Sequence, residues 1–233
     1  PWTVAPPAEA QPRGEWWRGF QDPALADLVQ RAGSANTSIQ QAAGRLAEAR
    51  SLLRSADAAR SVQVGASAGV TRQAGAATTG SATPATLGTA GLNVSYELDL
   101  FGKLSQTSDA ARLDADARAA LLQSTRLMVQ ADVAQTYLQL RAAQTELQLV
   151  NESLAAYQDT LRLTQRRQQA GDAAELDVAR VQTEVAATES EALALQRQQA
   201  LRANALAVLV GEVPGSFALP AAASDAALPV IPP

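Results

Sequence analysis

The 233-residue chain contains no histidine and no cysteine, and each absence closes off a class of chemistry. Without an imidazole or a thiol there is no Ser-His-Asp or Cys-His nucleophile pair, no zinc site of the usual nitrogen and sulfur type, no disulfide framework and no redox thiol. No metal or other cofactor is expected, and any catalysis would rest on carboxylates, lysine, tyrosine or serine. Lysine is almost missing as well: Lys103 stands alone, and the formal net charge is -4. Phosphate neutralisation needs clustered cations, so nucleic acid is not an expected partner. Aromatic residues make up only 4% of the chain, and its 47% of hydrophobic residues are largely alanine. Thin, closely spaced helices suit that composition better than a thick core. No apolar run approaches the ~18 residues of a membrane-spanning helix; the best, residues 203–210, is far too short. A membrane β-hairpin would escape that test, because its hydrophobicity alternates.

What is present changes character along the chain. Residues 1–21 read as an extended arm, with four prolines before position 15 and then Trp16, Trp17 and Phe20. Asp22-Pro23 opens a helix, with Asp as cap and Pro in the first helical position. Leu25, Leu28, Val29 and Ala32 share its apolar face. A stop near Gly33-Ser34 is followed by Asn36-Thr37-Ser38, which opens a second helix at Ile39. Ile39, Ala42, Ala43, Leu46, Ala49 and Leu53 recur there at steps of three and four. The two helices fill residues 22–60.

At Ser61 the period becomes two. Val62, Val64, Ala66, Ala68 and Val70 alternate with small polar residues, and Leu92, Val94, Tyr96, Leu98 and Leu100 alternate with Asn93, Ser95, Glu97 and Asp99. The Gly/Thr/Ser/Ala stretch between them, residues 72–86, reads as a loop. Residues 61–102 thus read as two strands of about ten residues, the length a tilted strand needs to cross a bilayer. An exposed hairpin on a soluble protein has the same pattern. Glu97 and Asp99 alternate onto one face and could mimic paired catalytic carboxylates, but lumen-facing or rim charges are the plainer reading.

From position 103 the chain is helical again, and residues 105–169 hold neither proline nor glycine. Val133, Thr136, Leu140, Ala143, Leu147, Val150, Leu154, Tyr157, Leu161 and Thr164 form a heptad seam for a partner helix. After Ala170-Gly171-Asp172 a second stripe follows: Val178, Val181, Val185, Thr188, Ala192 and Leu195. Gly171 can end one helix and Asp172 can cap the next, so residues 103–211 predict an antiparallel helical hairpin. Arg166 and Arg167 near its tip could attract an acidic partner or simply be solvated. Residues 212–233 read as a Pro/Ala-rich linker with Phe217 and Leu219 as anchors.

Several of these segments resemble one family in its own order. Tyr96-Glu97-Leu98-Asp99-Leu100-Phe101-Gly102-Lys103 is similar to the segment ending the second barrel strand in outer-membrane efflux proteins of the TolC/OprM type, where a Trp commonly stands at the Tyr96 place. Residues 16–25 resemble the family's W-x-x-F-x-D-P-x-L start, and residues 36–50 its N-x-x-I-x-x-A-x-x-R-x-x-E-A-R pattern. Residues 168–178 resemble its A-G-x-x-S-x-L-D-V turn. The chain departs from the pattern in supplying one helix-hairpin-helix unit where the family has two in tandem. It also lacks the lipidated cysteine of the OprM lipoprotein branch. It is expected to be a fragment ending at the Pro-rich linker between repeats, with a genuine half-length member as the alternative.

The resemblance implies a mainly α fold: a long coiled-coil hairpin of a helical barrel, plus two transmembrane β-strands of an outer-membrane barrel. It implies a homotrimeric exit duct for drugs or other small molecules, in the outer membrane and periplasm of a Gram-negative bacterium and not an enzyme. Its partners would be a periplasmic membrane-fusion adaptor, an inner-membrane RND-type transporter and outer-membrane lipid. By motif, the adaptor-contact tip would be Gln169, Ala170, Gly171, Asp172 and Ala173, with Leu176 fixing the turn. Val62, Val64, Val70, Leu92, Val94, Tyr96 and Leu98 would be the lipid-facing strand residues. The competing reading is a soluble periplasmic coiled-coil interaction or adaptor-like protein.

Overall fold

A computed structural model of the chain describes residues 14–73 and 85–218. Its elements follow in the order α1 (Pro23–Ala35), α2 (Thr37–Ala59), β1 (Gln63–Gln73), β2 (Ala85–Ser95), α3 (Lys103–Gln169) and α4 (Glu175–Leu209). They fall into two compact units, one comprising Pro1–Gln40 with Ser124–Pro233 and the other Gln41–Gln123.

In the first unit the apolar face of α1 forms as its spacing predicts. Leu25, Leu28, Val29 and Ala32 are buried, together with Val133, Tyr137, Leu206, Ala207 and Val210. Both ends of α1 are tied to other helices by residues that also cap. The Asp22 carboxylate accepts the backbone N–H groups of Ala24 at 2.9 Å and Leu25 at 3.2 Å through Oδ1, while its Oδ2 accepts the Tyr137 hydroxyl at 2.6 Å. Asn36 accepts from the N–H of Ser38 and Ile39 through Oδ1, and its Nδ2 donates to the Leu209 carbonyl at 2.9 Å. Burial, then the bond to Asp22, push the Tyr137 phenol well above its ordinary value, so it remains a donor.

The α3 and α4 chains run antiparallel from Ser124 onward. Gln199 donates to the Ala143 carbonyl, Arg202 reaches Gln139, and Gln158 donates to Glu189 nearer the tip. Val133, Leu140, Ala143, Val178, Thr188, Ala192 and Leu195 of the predicted seam are buried. Thr136, Leu147, Val150, Leu154, Leu161 and Thr164 are half-buried, and Tyr157 is 39% exposed. The seam missed Tyr137, which lies one residue off the stripe because it serves α1.

Both helices end in the same backbone motif. At the end of α3, Gly171 takes φ +86°, Asp172 N–H donates to the Arg167 carbonyl at 2.8 Å, and Gly171 N–H donates to that of Gln168 at 3.0 Å. At the end of α4, Gly211 repeats this with φ +76°: the Glu212 N–H donates to the Ala207 carbonyl at 2.8 Å and the Gly211 N–H to that of Val208 at 3.1 Å. Asp172, expected to cap α4, does not: the cap position falls on Ala174, whose side chain has no acceptor. Only half a capping box exists there, with the Asp177 carboxylate accepting the Ala174 N–H at 3.2 Å.

In the second unit, Leu46 and Ala49 of α2 and Ala115 and Leu122 of α3 are buried, and the Ser108 hydroxyl donates to Asp57. The hairpin is a two-stranded antiparallel sheet with Val64 opposite Val94, Ala66 opposite Leu92, Ala68 opposite Ala90 and Val70 opposite Gly88. Its strands depart from expectation at both ends. Arg72 and Thr86, assigned to a loop, pair with each other. Val62, Tyr96 and Leu98, expected as lipid-facing strand residues, lie outside the strands. The reason is Asp99, which accepts the N–H groups of Leu104 at 3.2 Å and Ser105 at 2.8 Å and so turns the chain into α3. The Ser105 N–H is the main cause holding the Asp99 carboxyl below the usual range. The arm differs as well: Trp16–Phe20 is a 3₁₀ turn, folded by edge-on packing of Trp16 against Trp17 and Phe20 with centroids 6.1 and 6.3 Å apart. Residues 1–13, 74–84 and 219–233, the last including Leu219, lie outside the described residues.

Two stability outcomes are expected. Tyr137→Phe should leave the buried Asp22 Oδ2 unpaired and lower unfolding free energy by about 1–3 kcal/mol, read from denaturant midpoints. Ala174→Ser should complete the box with Asp177 and raise stability by about 1 kcal/mol, read as a higher melting temperature.

Candidate functional site

Two surfaces carry features that the fold itself does not consume. The first is the hairpin. Because residues directly opposite in an antiparallel pair share a face, its register collects Val64, Ala66, Ala68 and Val70 with Ala90, Leu92 and Val94 on one side. Gln63, Ser67 and Thr71 lie on the other with Leu87, Thr89, Asn93 and Ser95, and the Arg72–Thr86 pair ends the first side. The apolar side is bare: Val70 is 79% exposed and Leu92 81%. Val64 and Val94 are likewise exposed.

The polar side is low in profile because glycines stand opposite its larger side chains, Gly65 against Asn93, Gly91 against Ser67 and Gly69 against Thr89. A methyl group added to Gly65 would overlap the Asn93 carboxamide, and one added to Gly69 or Gly91 would come within 3.2 Å of the opposing hydroxyl. Eleven residues per strand give a length of about 36 Å, or a height of about 25 Å when tilted at ~45°. That matches the apolar band of a membrane barrel, which is also about 25 Å tall.

The second surface is the α3–α4 tip. Gln169, Ala170, Gly171 and Asp172 are exposed and adjacent, and Ala173 is half-buried. A side chain at Gly171 would meet nothing within 4 Å, so the glycine answers to its backbone angle and not to crowding. Leu176, expected to fix the turn, is 59% exposed, and backbone hydrogen bonds close the end of α3. Arg166 and Arg167, in the last turn of α3, are the cations suited to a helix C-terminus.

The remaining sequence candidates resolve structurally. Asp99 is committed to the start of α3, so it forms no acid-base pair with Glu97. Glu97 lines an open cleft of about 520 Å³ with Ser55, Ser61, Gln63 and Ser95. Among the described residues no group of His, Cys, Asp and Glu side chains could hold a metal ion, and no helix is long and apolar enough to cross a membrane. Trp16 and Trp17 serve the 3₁₀ turn. Sequence reasoning missed the partners of the caps, Tyr137 and the Leu209 carbonyl. Tyr137 left one trace, an aromatic residue set one place off a regular seam.

Comparison with known proteins follows the same lines. The family described as outer membrane efflux protein matches residues 28–212. The chain is 32% identical over 199 residues to the toluene efflux pump outer membrane protein TtgF of Pseudomonas putida, covering 84% of this chain and 42% of that protein. Among solved structures it is similar to the outer membrane protein VceC of Vibrio cholerae, with a TM-score of 0.75 and 31% identity over 88% of this chain and 51% of that one. The outer-membrane channel OprN gives a TM-score of 0.76 at 28% identity, covering 90% of this chain and 48% of that one. The chain thus spans about half the length of the relatives it matches. With a family match across most of its length and a hairpin and helical pair of the same fold, the chain belongs to the outer membrane efflux protein family.

Proposed function

We propose that this chain forms part of the outer-membrane channel of a tripartite efflux system, a passive exit duct for drugs or other small molecules across the periplasm and outer membrane of a Gram-negative bacterium. The observation that carries this reading is the two-faced hairpin: an exposed apolar face from the Val64–Val94 pair to Val70, ended by the Arg72–Thr86 pair, backed by an uncharged and mostly polar face on which Leu87 is the large apolar side chain. In water such a face is a liability, whereas in a barrel wall it meets lipid and leaves the polar side to a wet lumen. A soluble coiled-coil protein would have to keep Val70 and Leu92 in water. Val64, Val70, Leu92 and Val94 face lipid in this arrangement; Val62, Tyr96 and Leu98 sit beyond the strand ends, at the level of the membrane interface.

Two strands cannot close a barrel, so the reading requires further hairpins, supplied in a homotrimer. The exposed Leu149, Leu193, Leu201 and Val208 along the helical pair suit lateral packing against more helices of the same wall. The tip is the docking point for a periplasmic adaptor, which links the duct to an inner-membrane RND-type transporter. Gln169, Ala170, Gly171, Asp172 and Ala173 offer backbone close to the surface, and Leu176 offers an apolar contact.

Two experiments in the intact protein test these assignments. Leu92→Arg, near the middle of the lipid face, should cost about 2–4 kcal/mol in the membrane and deplete trimer from detergent-extracted outer membrane, while Ser67→Arg on the polar face should assemble normally. Equal assembly of both variants would refute the facing. At the tip, Gly171→Ala should cost only the strain of a left-handed residue, about 1–2 kcal/mol. Gly171→Trp should in addition abolish adaptor cross-linking and drug export with helix content unchanged by circular dichroism; undiminished export would count against a docking role.

A further inference from the structure

We propose that Arg31 and Gly211 form a two-part clasp that holds the segment leaving α4 against α1, and so sets the point from which the chain beyond Phe217 departs. Close approach comes first. Gly211 reverses the chain with φ +76°, and a Cβ there would lie 2.8 Å from both the Cβ and the carbonyl oxygen of Ala35, the last residue of α1. Only glycine brings the segment this near. One guanidinium then fastens it. Arg31 Nη2 pairs with the Glu212 carboxylate, Nη1 lies 3.3 Å from Asp27 Oδ2, and Cζ stands 5.7 Å from the centroid of the Phe217 ring.

The path of the chain between those two anchors is itself organised. Val213 accepts both the N–H and the hydroxyl of Ser216, at 3.2 and 2.9 Å, and Gly215 takes φ +99°. This turn carries Phe217 back over the cation that Glu212 has already engaged. A loose tail would leave Arg31 with its in-helix partner Asp27 alone, a pair of the exposed kind that contributes little. Here two carboxylates and an aromatic face converge on a side chain that is only 30% exposed. The fork of donors and the flat face of arginine are both used, which lysine cannot reproduce. The clasp is ionic on one side and steric on the other, so it opens by loss of charge without requiring α1 or α4 to unfold.

Chymotryptic cleavage after Phe217 in the full-length protein, followed by mass spectrometry, reads its opening. Arg31→Ala should accelerate that cut by roughly five- to tenfold, because cleavage tracks the population of the opened segment. Arg31→Lys should fall between Ala and wild type, and Glu212→Gln should also accelerate it. Gly211→Ala should do the same with Arg31 intact. High salt should speed the cut in wild type and leave the Arg31→Ala rate unchanged. Helix content by circular dichroism is expected to be unaltered in the Glu212→Gln protein, whose substituted residue lies outside every helix, so this variant decides the matter if Arg31→Ala misfolds. Wild-type cleavage rates in both Glu212→Gln and Gly211→Ala would overturn the proposal.

Discussion

Asp22 and Asn36 each occupy two structures at once, and the first unit depends on that double use. A helix start leaves backbone N–H groups unpaired, and a capping side chain of either type satisfies them. Each of these caps has a second polar atom free, and the chain directs it to a different helix: Asp22 to the Tyr137 hydroxyl of α3, Asn36 to the last carbonyl of α4. Because both residues are buried, neither atom has water as an alternative. The thirteen-residue α1 is therefore fastened at its beginning and its end to opposite arms of the helical pair. Its four apolar side chains could slide along such a seam; the two directional bonds fix the register.

The hairpin obeys a different constraint. It has no core of its own, and its two faces differ only in polarity, so everything specific about it resides in alternation and length. Glycine opposite a polar residue recurs three times on the polar side, keeping that surface thin while leaving hydroxyl and amide groups along it. The apolar side uses β-branched and leucine side chains, which fit a pleated surface. Membership in the outer membrane efflux protein family gives this division a physical setting, and the helical pair buries alanines such as Ala134, Ala143, Ala192 and Ala207 among larger side chains.

How much of this was legible in the sequence depended on the range of the interactions. The caps at Asp22 and Asn36 could be read because their own-helix bonds reach only two or three residues forward. Their second bonds span 115 and 173 residues and leave no local pattern. The seam from Val133 to Thr164 was visible as a period, and Tyr137 escaped because it answers to a third helix. Strand ends were misjudged where alternation outlasts the strand: residues 96–100 keep the period of two, but Asp99 is required at the first turn of α3. At the tip, the glycine was plain. The cap was not, because α4 begins at Glu175 and the place for an acceptor falls on Ala174, which has none. The exposure of Leu176 depends on three-dimensional packing that spacing does not encode.

The register of β1 against β2 has a consequence for how such a segment can vary over time. Side chains alternate with a period of two, so deleting Ala68 from the middle of β1 would move every residue beyond it to the opposite face, turning Val70 toward the polar side and Thr71 toward the apolar one while Val64 and Ser67 kept theirs. Removing two neighbouring residues shortens the strand by one pleat and preserves both faces. Length change within the paired segments is thus constrained to even steps, a parity rule that does not apply to the helices on either side.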